Sequence, residues 1–357
     1  MLTFPMLPGV EVNIFLLAFM GFAVGAIGSF IGGGGGYLLT PALIVLGIPG
    51  NFAAGTGVLN IAGLSVMSAL RHRSLGNVDV KLGLLLLVGV LGGTELGVHL
   101  VNYSKARGLS SEAVLIVSAV LLTAVGIYTV REVISAKRRL DEMLSRTGSA
   151  PRDVTSATMS RKVQALNIPP RITFETSRTK LSLWVVLVTG FFTGLVSGFL
   201  GIGGAFILVP VLIYLCGVPS HIAIGTGLFQ IAFSSSYAAL RHGMSGNVLV
   251  LVAVIMVLGA SVGAQIGTLG TRYVRGPSIR GVLGGSVIIG ALGAALKLAD
   301  ALAGEGMTWL QIGATICTFG GMGLLIVMMA GLMIMAFMYR RGMKVPRQFE
   351  SLLVKEE

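Results

Sequence analysis

Two stretches of this chain carry the same pattern. Residues 28–41 read GSFIGGGGGYLLTP and residues 197–210 read SGFLGIGGAFILVP. Each sets consecutive glycines between apolar runs and closes on a proline. Consecutive glycines lose much conformational freedom on ordering and bury almost nothing, yet the break is kept at two matched places. The surroundings make it a strong constraint. Of 357 residues 54% are hydrophobic and 11% are charged, with a mean hydropathy of +0.89, whereas soluble domains carry about 25% charged residues. Many windows reach the ~20 apolar residues that cross a bilayer. In lipid, backbone that leaves the helix survives only where protein covers it or where it lines a cavity. The expected class is an all-α polytopic membrane protein with broken, re-entrant short helices. A soluble fold with an oversized core is set aside.

The duplication extends beyond the glycines. Residues 21–46 and 190–215 share twelve identities in 26 positions; after one extra residue in the second copy, 47–77 and 217–247 share fifteen in 31. The matches include Pro41 with Pro210, Pro49 with Pro219, Gly55-Thr56-Gly57 with Gly225-Thr226-Gly227, and ALRH at 69–72 with ALRH at 239–242. Glycine richness alone does not produce such ordered agreement.

The apolar segments predict helices over 12–31, 36–48, 52–70, 80–102 and 111–131, then over 182–201, 204–216, 220–240, 247–270 and 279–299. A further segment, 308–338, has no counterpart. Five is odd, so the second copy is expected to enter the membrane from the opposite face, giving inverted-topology repeats. Parity survives if 36–48 and 52–70 form a re-entrant hairpin. The expected plan is a first transmembrane repeat (1–131), a basic linker (132–181), a second repeat (182–299), an extra C-terminal helix (300–340) and a tail (341–357).

Where the net charge of +12 lies matters more than its sum. Between Arg131 and Lys180 eleven Lys/Arg face five Asp/Glu, and 340–355 adds five basic residues. Basic loops stay on the cytoplasmic side, so linker and tail are expected inside a cell (inner) membrane, with the start outside. Arg71, Arg73, Arg272, Arg275 and Arg280 then fall inside, and Arg241 outside. Lys105 and Arg107 also fall outside, which runs against the scheme. The linker begins as a helical continuation, REVISAKRRLDEMLSR, and loosens into TGSAPRDVTSATMS, read as partly disordered. It has no aromatic interleaving, so solvated positive charge beside lipid explains it and no nucleic-acid partner is expected. Residues 1–10 carry no basic residue before the first apolar run, so a cleaved signal is not expected. Cys216 and Cys317 lie in apolar segments and read as small buried hydrophobes; no metal or cofactor is expected.

Segment 36–48 has about 13 residues and rises ~20 Å as a helix, short of the ~30 Å hydrocarbon core. Its twin has the same shortfall. Paired short segments punctuated by Gly and Pro point to a transport site. Helix starts offer unpaired N–H donors and about half a positive charge, which suits an anion. The expected substrate-binding residues are therefore Gly34, Gly35, Gly36 and Tyr37 in the first copy, and Gly203, Gly204, Ala205 and Phe206 in the second. Gly55 and Thr56, with Gly225 and Thr226, open the next helices and add hydroxyl donors. Asn60 and Gln230 each follow the threonine by four residues, on one helix face. The competing reading is close helix packing and interhelical hydrogen bonding. It is favoured for any single glycine and for Ser65 with Ser235. No P-loop lysine follows either glycine run, and GFLGIGG lacks the strand–helix setting of a dinucleotide site.

Taken together, the GxxGxGGG-like break, the apolar run with Pro, Gly-x-Pro, Gly-Thr-Gly and a later Gly-Asn, given twice, resemble the sulfite exporter TauE/SafE family. The resemblance covers roughly 12–131 and 182–299. It implies a multi-pass permease for a small sulfur-containing anion such as sulfite, thiosulfate or an organosulfonate. One branch of the family passes substrate along cysteines; here only Cys216 lies near a matching loop, where the first copy has Leu46 or Gly47. A cysteine relay is therefore not expected.

Glu95, in GGTELGVHL, falls within a span, where ionised carboxylates are rare and commonly functional. Its partner is the neutral Gln265. One protonatable group in one half suits proton coupling; a hydrogen bond between helices is the equal alternative. Arg71 and Arg241 end their helices, either snorkelling to headgroups or drawing anions into a vestibule. The resulting expectation is a non-enzymatic permease working by alternating access with protons as a coupling ion, embedded in a lipid bilayer, with a homo-oligomer left open. An anion channel and a permease for a non-sulfur organic acid are the alternatives. No HExxH, GxSxG with partner His, or paired intramembrane Asp suggests an enzyme.

Overall fold

A computed structural model of the chain describes residues 2–4, 7–107, 110–147, 168–200, 204–303, 308–341, 343 and 353. A hairpin of β1 (Leu2–Phe4) and β2 (Leu7–Val12) leads into α1 (Ile14–Ile31), α2 (Gly36–Val45), α3 (Gly50–Ser74), α4 (Val80–Ala106) and α5 (Ser110–Thr147). A second hairpin, β3 (Arg171–Phe174) and β4 (Thr179–Ser182), leads into α6 (Leu183–Leu200) and α7 (Ala205–Pro210), which a π-helical turn, Val211–Leu215, continues. Then follow α8 (Ser220–Met244), α9 (Val250–Gly270) and α10 (Gly276–Leu302). The last span comprises α11 (Thr308–Thr315), a π turn (Ile316–Gly320) and α12 (Gly321–Arg340). Among the described residues eight helices are long and apolar enough to cross a membrane, and 36–45 and 206–215 are shorter apolar helices. The fold is an all-α polytopic membrane protein.

The two copies are interleaved in their long helices: α1 packs mainly on α9, α4 on α6, α3 on α8 and α5 on α10. On α1, a Cβ at Gly25 would lie 2.6 Å from Ala260 Cα of α9, and one at Gly21 would overlap the Met256 carbonyl. On α4, Gly89, Gly93 and Gly97 meet the backbone of Leu187, Phe191 and Leu195 of α6 in the same way. Small residues every fourth position let these parallel pairs approach backbone to backbone, which is how helices associate in lipid. Corresponding helices instead meet antiparallel. Gly55 at the start of α3 faces Asn247 beyond the end of α8, and Gly225 at the start of α8 faces Asn77 beyond the end of α3. Likewise Gly126 of α5 faces Ile288 of α10, while Gly284 of α10 faces Val130 of α5.

Three features depart from the sequence reading. The fifth helix carries the expected helical continuation of the linker to Thr147, so the boundary placed at 131 falls inside a helix. Short antiparallel hairpins precede both α1 and α6, where no strand was expected. The second hairpin is pinned to the start of α4: Asp79 Oδ1 accepts from the Leu82 N–H at 3.0 Å, while its Oδ2 accepts from the Ser177 N–H at 3.1 Å and hydroxyl at 2.6 Å. Finally, the extra residue of the second copy is taken up by the π turn. The N–H of Ile48 reaches the Leu43 carbonyl, five residues back, whereas that of the matching Val218 reaches Leu212, six back. A π turn is the usual way a helix absorbs one inserted residue; the insertion sits at the buried Cys216.

Candidate functional site

Side chains just beyond the two glycine breaks meet in the interior. Helix α1 ends at Ile31, and Gly32, Gly34 and Gly35 take left-handed backbone with φ of 73°, 63° and 70°. At Gly35 both conformation and space demand glycine, because a Cβ would stand 2.9 Å from the Val24 carbonyl oxygen. Gly204, with φ 65°, does the same before α7, where a Cβ would lie 2.5 Å from the Thr193 carbonyl. These residues are the N-caps of α2 and α7, and neither start receives a side-chain cap. Tyr37 and Phe206, at matching positions just inside the two starts, are fully buried with ring centroids 5.8 Å apart. The Tyr37 hydroxyl is 2.6 Å from Ser286 Oγ of α10, a partner without a signal in the sequence.

The first break lies between the middle of α3 and the start of α8. A Cβ at Gly34 would stand 3.2 Å from Ile61 Cγ2 and 4.0 Å from Ser65 Oγ; one at Gly32 would stand 2.8 Å from Ile224 Cα. Ile61 and its counterpart Ile231 pack against each other where α3 and α8 cross. Beside them sit four polar side chains at matched positions. Asn60, Ser65 and Ser235 are fully buried and Gln230 is 2% exposed. Among the described residues, both amide atoms of Asn60, the Nε2 of Gln230 and the hydroxyls of both serines have no hydrogen-bond partner. A buried polar group left unpaired costs about 1–3 kcal/mol. The set is duplicated, and Ser65 of it lies against the first break, so this crossing is not a wholly apolar seam.

The Gly-Thr-Gly motifs join the halves. The Thr226 hydroxyl accepts from the Asp79 N–H at 2.9 Å, and the Thr56 hydroxyl accepts from the Leu249 N–H at 3.0 Å. Each threonine satisfies a backbone donor where a helix of the other copy begins. Gly55 and Gly225 leave room for the Asn247 and Asn77 carbonyls and for the His242 and His72 side chains. Those histidines stand in the last turns of α3 and α8, where a headgroup contact is the ordinary expectation. Instead they are buried, and His72 Nε2 lies 3.2 Å from the Ser29 carbonyl oxygen.

Glu95 is half-buried and ion-paired. Its Oε2 accepts from the Tyr237 hydroxyl at 2.6 Å and its Oε1 from Arg241 Nη2 at 2.8 Å, with His99 Nε2 at 3.3 Å. The corresponding residues in the other half are Gln265, which is exposed, and Arg71, whose buried Nε has no partner. Arg241 is thus ion-paired, whereas among the described residues no carboxylate pairs with Arg71. Gly36 opens α2 as expected. Gly203 lies outside the described residues, as does the side chain of Ala205. Among the described residues no cluster of His, Cys, Asp or Glu could hold a metal.

Comparison with known proteins agrees with this architecture. The family model of the sulfite exporter TauE/SafE matches residues 17–296. The "Probable membrane transporter protein YunE" of Bacillus subtilis is 26% identical over 272 residues, covering 74% of this chain and 90% of the relative. A "Probable membrane transporter protein" of Xylella fastidiosa (strain 9a5c) is 26% identical over 261 residues, covering 71% and 82%. Another, MJ0441 of Methanocaldococcus jannaschii, is 26% identical over 206 residues, covering 55% and 60%. No solved structure matches. With the family model spanning both copies and both breaks, this chain belongs to the sulfite exporter TauE/SafE family of membrane transporters.

Proposed function

We propose that this chain is a secondary-active permease for a small sulfur-containing anion, with its substrate site at the paired breaks. The carrying observation is the duplicated set of buried, unpartnered polar atoms on Asn60, Ser65, Gln230 and Ser235, beside two helix starts that no side chain caps. An anion there accepts hydrogen bonds from the amides and hydroxyls and lies at the positive ends of two helix dipoles. Gly34, Gly35, Gly36 and Tyr37 frame it from one side, and Gly204 and Phe206 from the other, with Gly203 and Ala205 assigned to the same site from the sequence. Gly55, Thr56, Gly225 and Thr226 hold the frame together at the crossing of the two halves.

The antiparallel meeting of corresponding helices supports an inverted-repeat carrier, in which one half rocks against the other by alternating access. In this reading the start faces outward and the basic linker and tail face the cytoplasm of a cell membrane. Glu95 with Arg241 and Gln265 with Arg71 lie along the access route, Glu95 being the group through which protons couple. The protein moves its cargo unchanged and is not an enzyme.

Proteoliposomes holding the full chain test this with sulfite, thiosulfate, sulfoacetate and acetate under an imposed proton gradient. Saturable uphill flux of one sulfur anion is expected, with acetate excluded. Flux of acetate alone refutes the sulfur assignment; non-saturable flux that never runs uphill refutes the carrier.

A further inference from the structure

A groove of about 460 Å³ opens on the flank of the bundle between α5, α10 and α12. Val133 and Lys137 of α5, Gly281 of α10, and Met328, Gly331 and Met335 of α12 line it. Its walls are almost wholly apolar, and Lys137 is the one charged residue lining it. The glycines here differ from those of the packed stripes. Among the described residues nothing lies within 4 Å of where a Cβ on Gly331 would stand, and at Gly281 the nearest atom is Val133 Cγ1 at 3.7 Å. They keep a hollow open rather than bringing backbones together.

The groove has a polar end. Lys137 is exposed, and among the described residues no carboxylate lies within ion-pair distance of it. Arg138 and Arg139 follow it on α5. Helix α12 ends at Arg340, whose guanidinium sits 5.7 Å from the Tyr273 ring. Met328–Met335 lies one to three turns inside that end, within a span apolar enough to cross a membrane. A surface this apolar, inside the membrane and carrying one unneutralised cation at its rim, matches a molecule with a long hydrocarbon tail and a negative head. We infer that the groove is a binding site for one anionic phospholipid, with an acyl chain along Gly281 and Gly331 and the phosphate on Lys137. Because α12 lies outside the duplicated unit, the site occurs once per chain.

The full-length protein in neutral detergent, incubated with equal phosphatidylglycerol and phosphatidylcholine, tests this by native mass spectrometry. The expected result is one retained phosphatidylglycerol per chain. Lys137→Gln should weaken it about fivefold without altering phosphatidylcholine adducts. Gly331→Leu, whose side chain enters open space, should remove it while the melting temperature in lipid-free detergent stays unchanged. Equal retention of the two lipids by the native chain, or a phosphatidylglycerol adduct that survives Gly331→Leu, overturns the inference. So does a dimer that dissociates in Gly331→Leu, because the groove then seats a second copy.

Discussion

Replacing Asn60 by Leu separates a ligand contact from helix glue by the sign of its effect on stability. The two side chains are close in volume, and Asn60 is fully buried with neither amide atom bonded within the protein. Removing two unpaired polar atoms lifts a burden of about 1–3 kcal/mol, so Asn60→Leu should melt at or above the native temperature. If the amide donates to a bound anion, the same change deletes a charge-assisted hydrogen bond of about 1.5–3 kcal/mol. That is a loss of roughly 10–150-fold in affinity. Ser68→Ala is the control of opposite sign. The Ser68 hydroxyl donates to the Leu64 carbonyl at 2.8 Å and is bonded to Ser29, so its removal should lower the melting temperature and leave affinity alone. Thermal melts in detergent and uptake into proteoliposomes read the two quantities from one preparation. An Asn60→Leu protein that is destabilised by more than ~1 kcal/mol and transports normally refutes the reasoning.

Gly93→Ala should destabilise the chain by about 1–3 kcal/mol, because its methyl would overlap the Phe191 carbonyl across α4 and α6; Gly263→Ala, facing Phe22 across α1 and α9, should match it. Denaturant titration measures both, and no loss in either removes the glycine stripes from the account. Thr226→Val and Thr56→Val each orphan one backbone N–H and should each cost about 0.6–2 kcal/mol; the double variant should show the sum, and neither single change should alter substrate selectivity. Glu95→Gln removes a half-exposed ion pair and should cost under ~1 kcal/mol, while flattening the pH dependence of uptake; an unchanged pH profile takes Glu95 out of proton coupling.

Much of the architecture was legible because lipid leaves the backbone few options. The apolar runs located the helices, and the duplicated GGGGG and GIGG breaks located the ends of α1 and α6 and the short helices after them. The interleaving was not legible. Gly89, Gly93 and Gly97 recur every fourth residue in the sequence, but nothing in the local pattern names α6 as the surface they meet. The threonines of Gly-Thr-Gly read as donors to a ligand because a hydroxyl has no visible partner until the other half is folded against it. Folded, they also accept from the N–H groups of Asp79 and Leu249. Asn60 and Gln230 were legible as polar residues on one face; that they lack protein partners depends on where Ile61 and Ile231 cross. The hairpins were missed because strands of three to six residues, one on each side of a turn, carry too little period-2 signal.

The most direct test of the substrate site is anomalous diffraction from crystals grown with 2-bromoethanesulfonate, whose bromine marks the bound anion. The account predicts a single interior bromine peak next to Tyr37 and Phe206, with the sulfonate within hydrogen-bond reach of Asn60 and Gln230. A peak elsewhere in the bundle, or none at saturating anion, contradicts it.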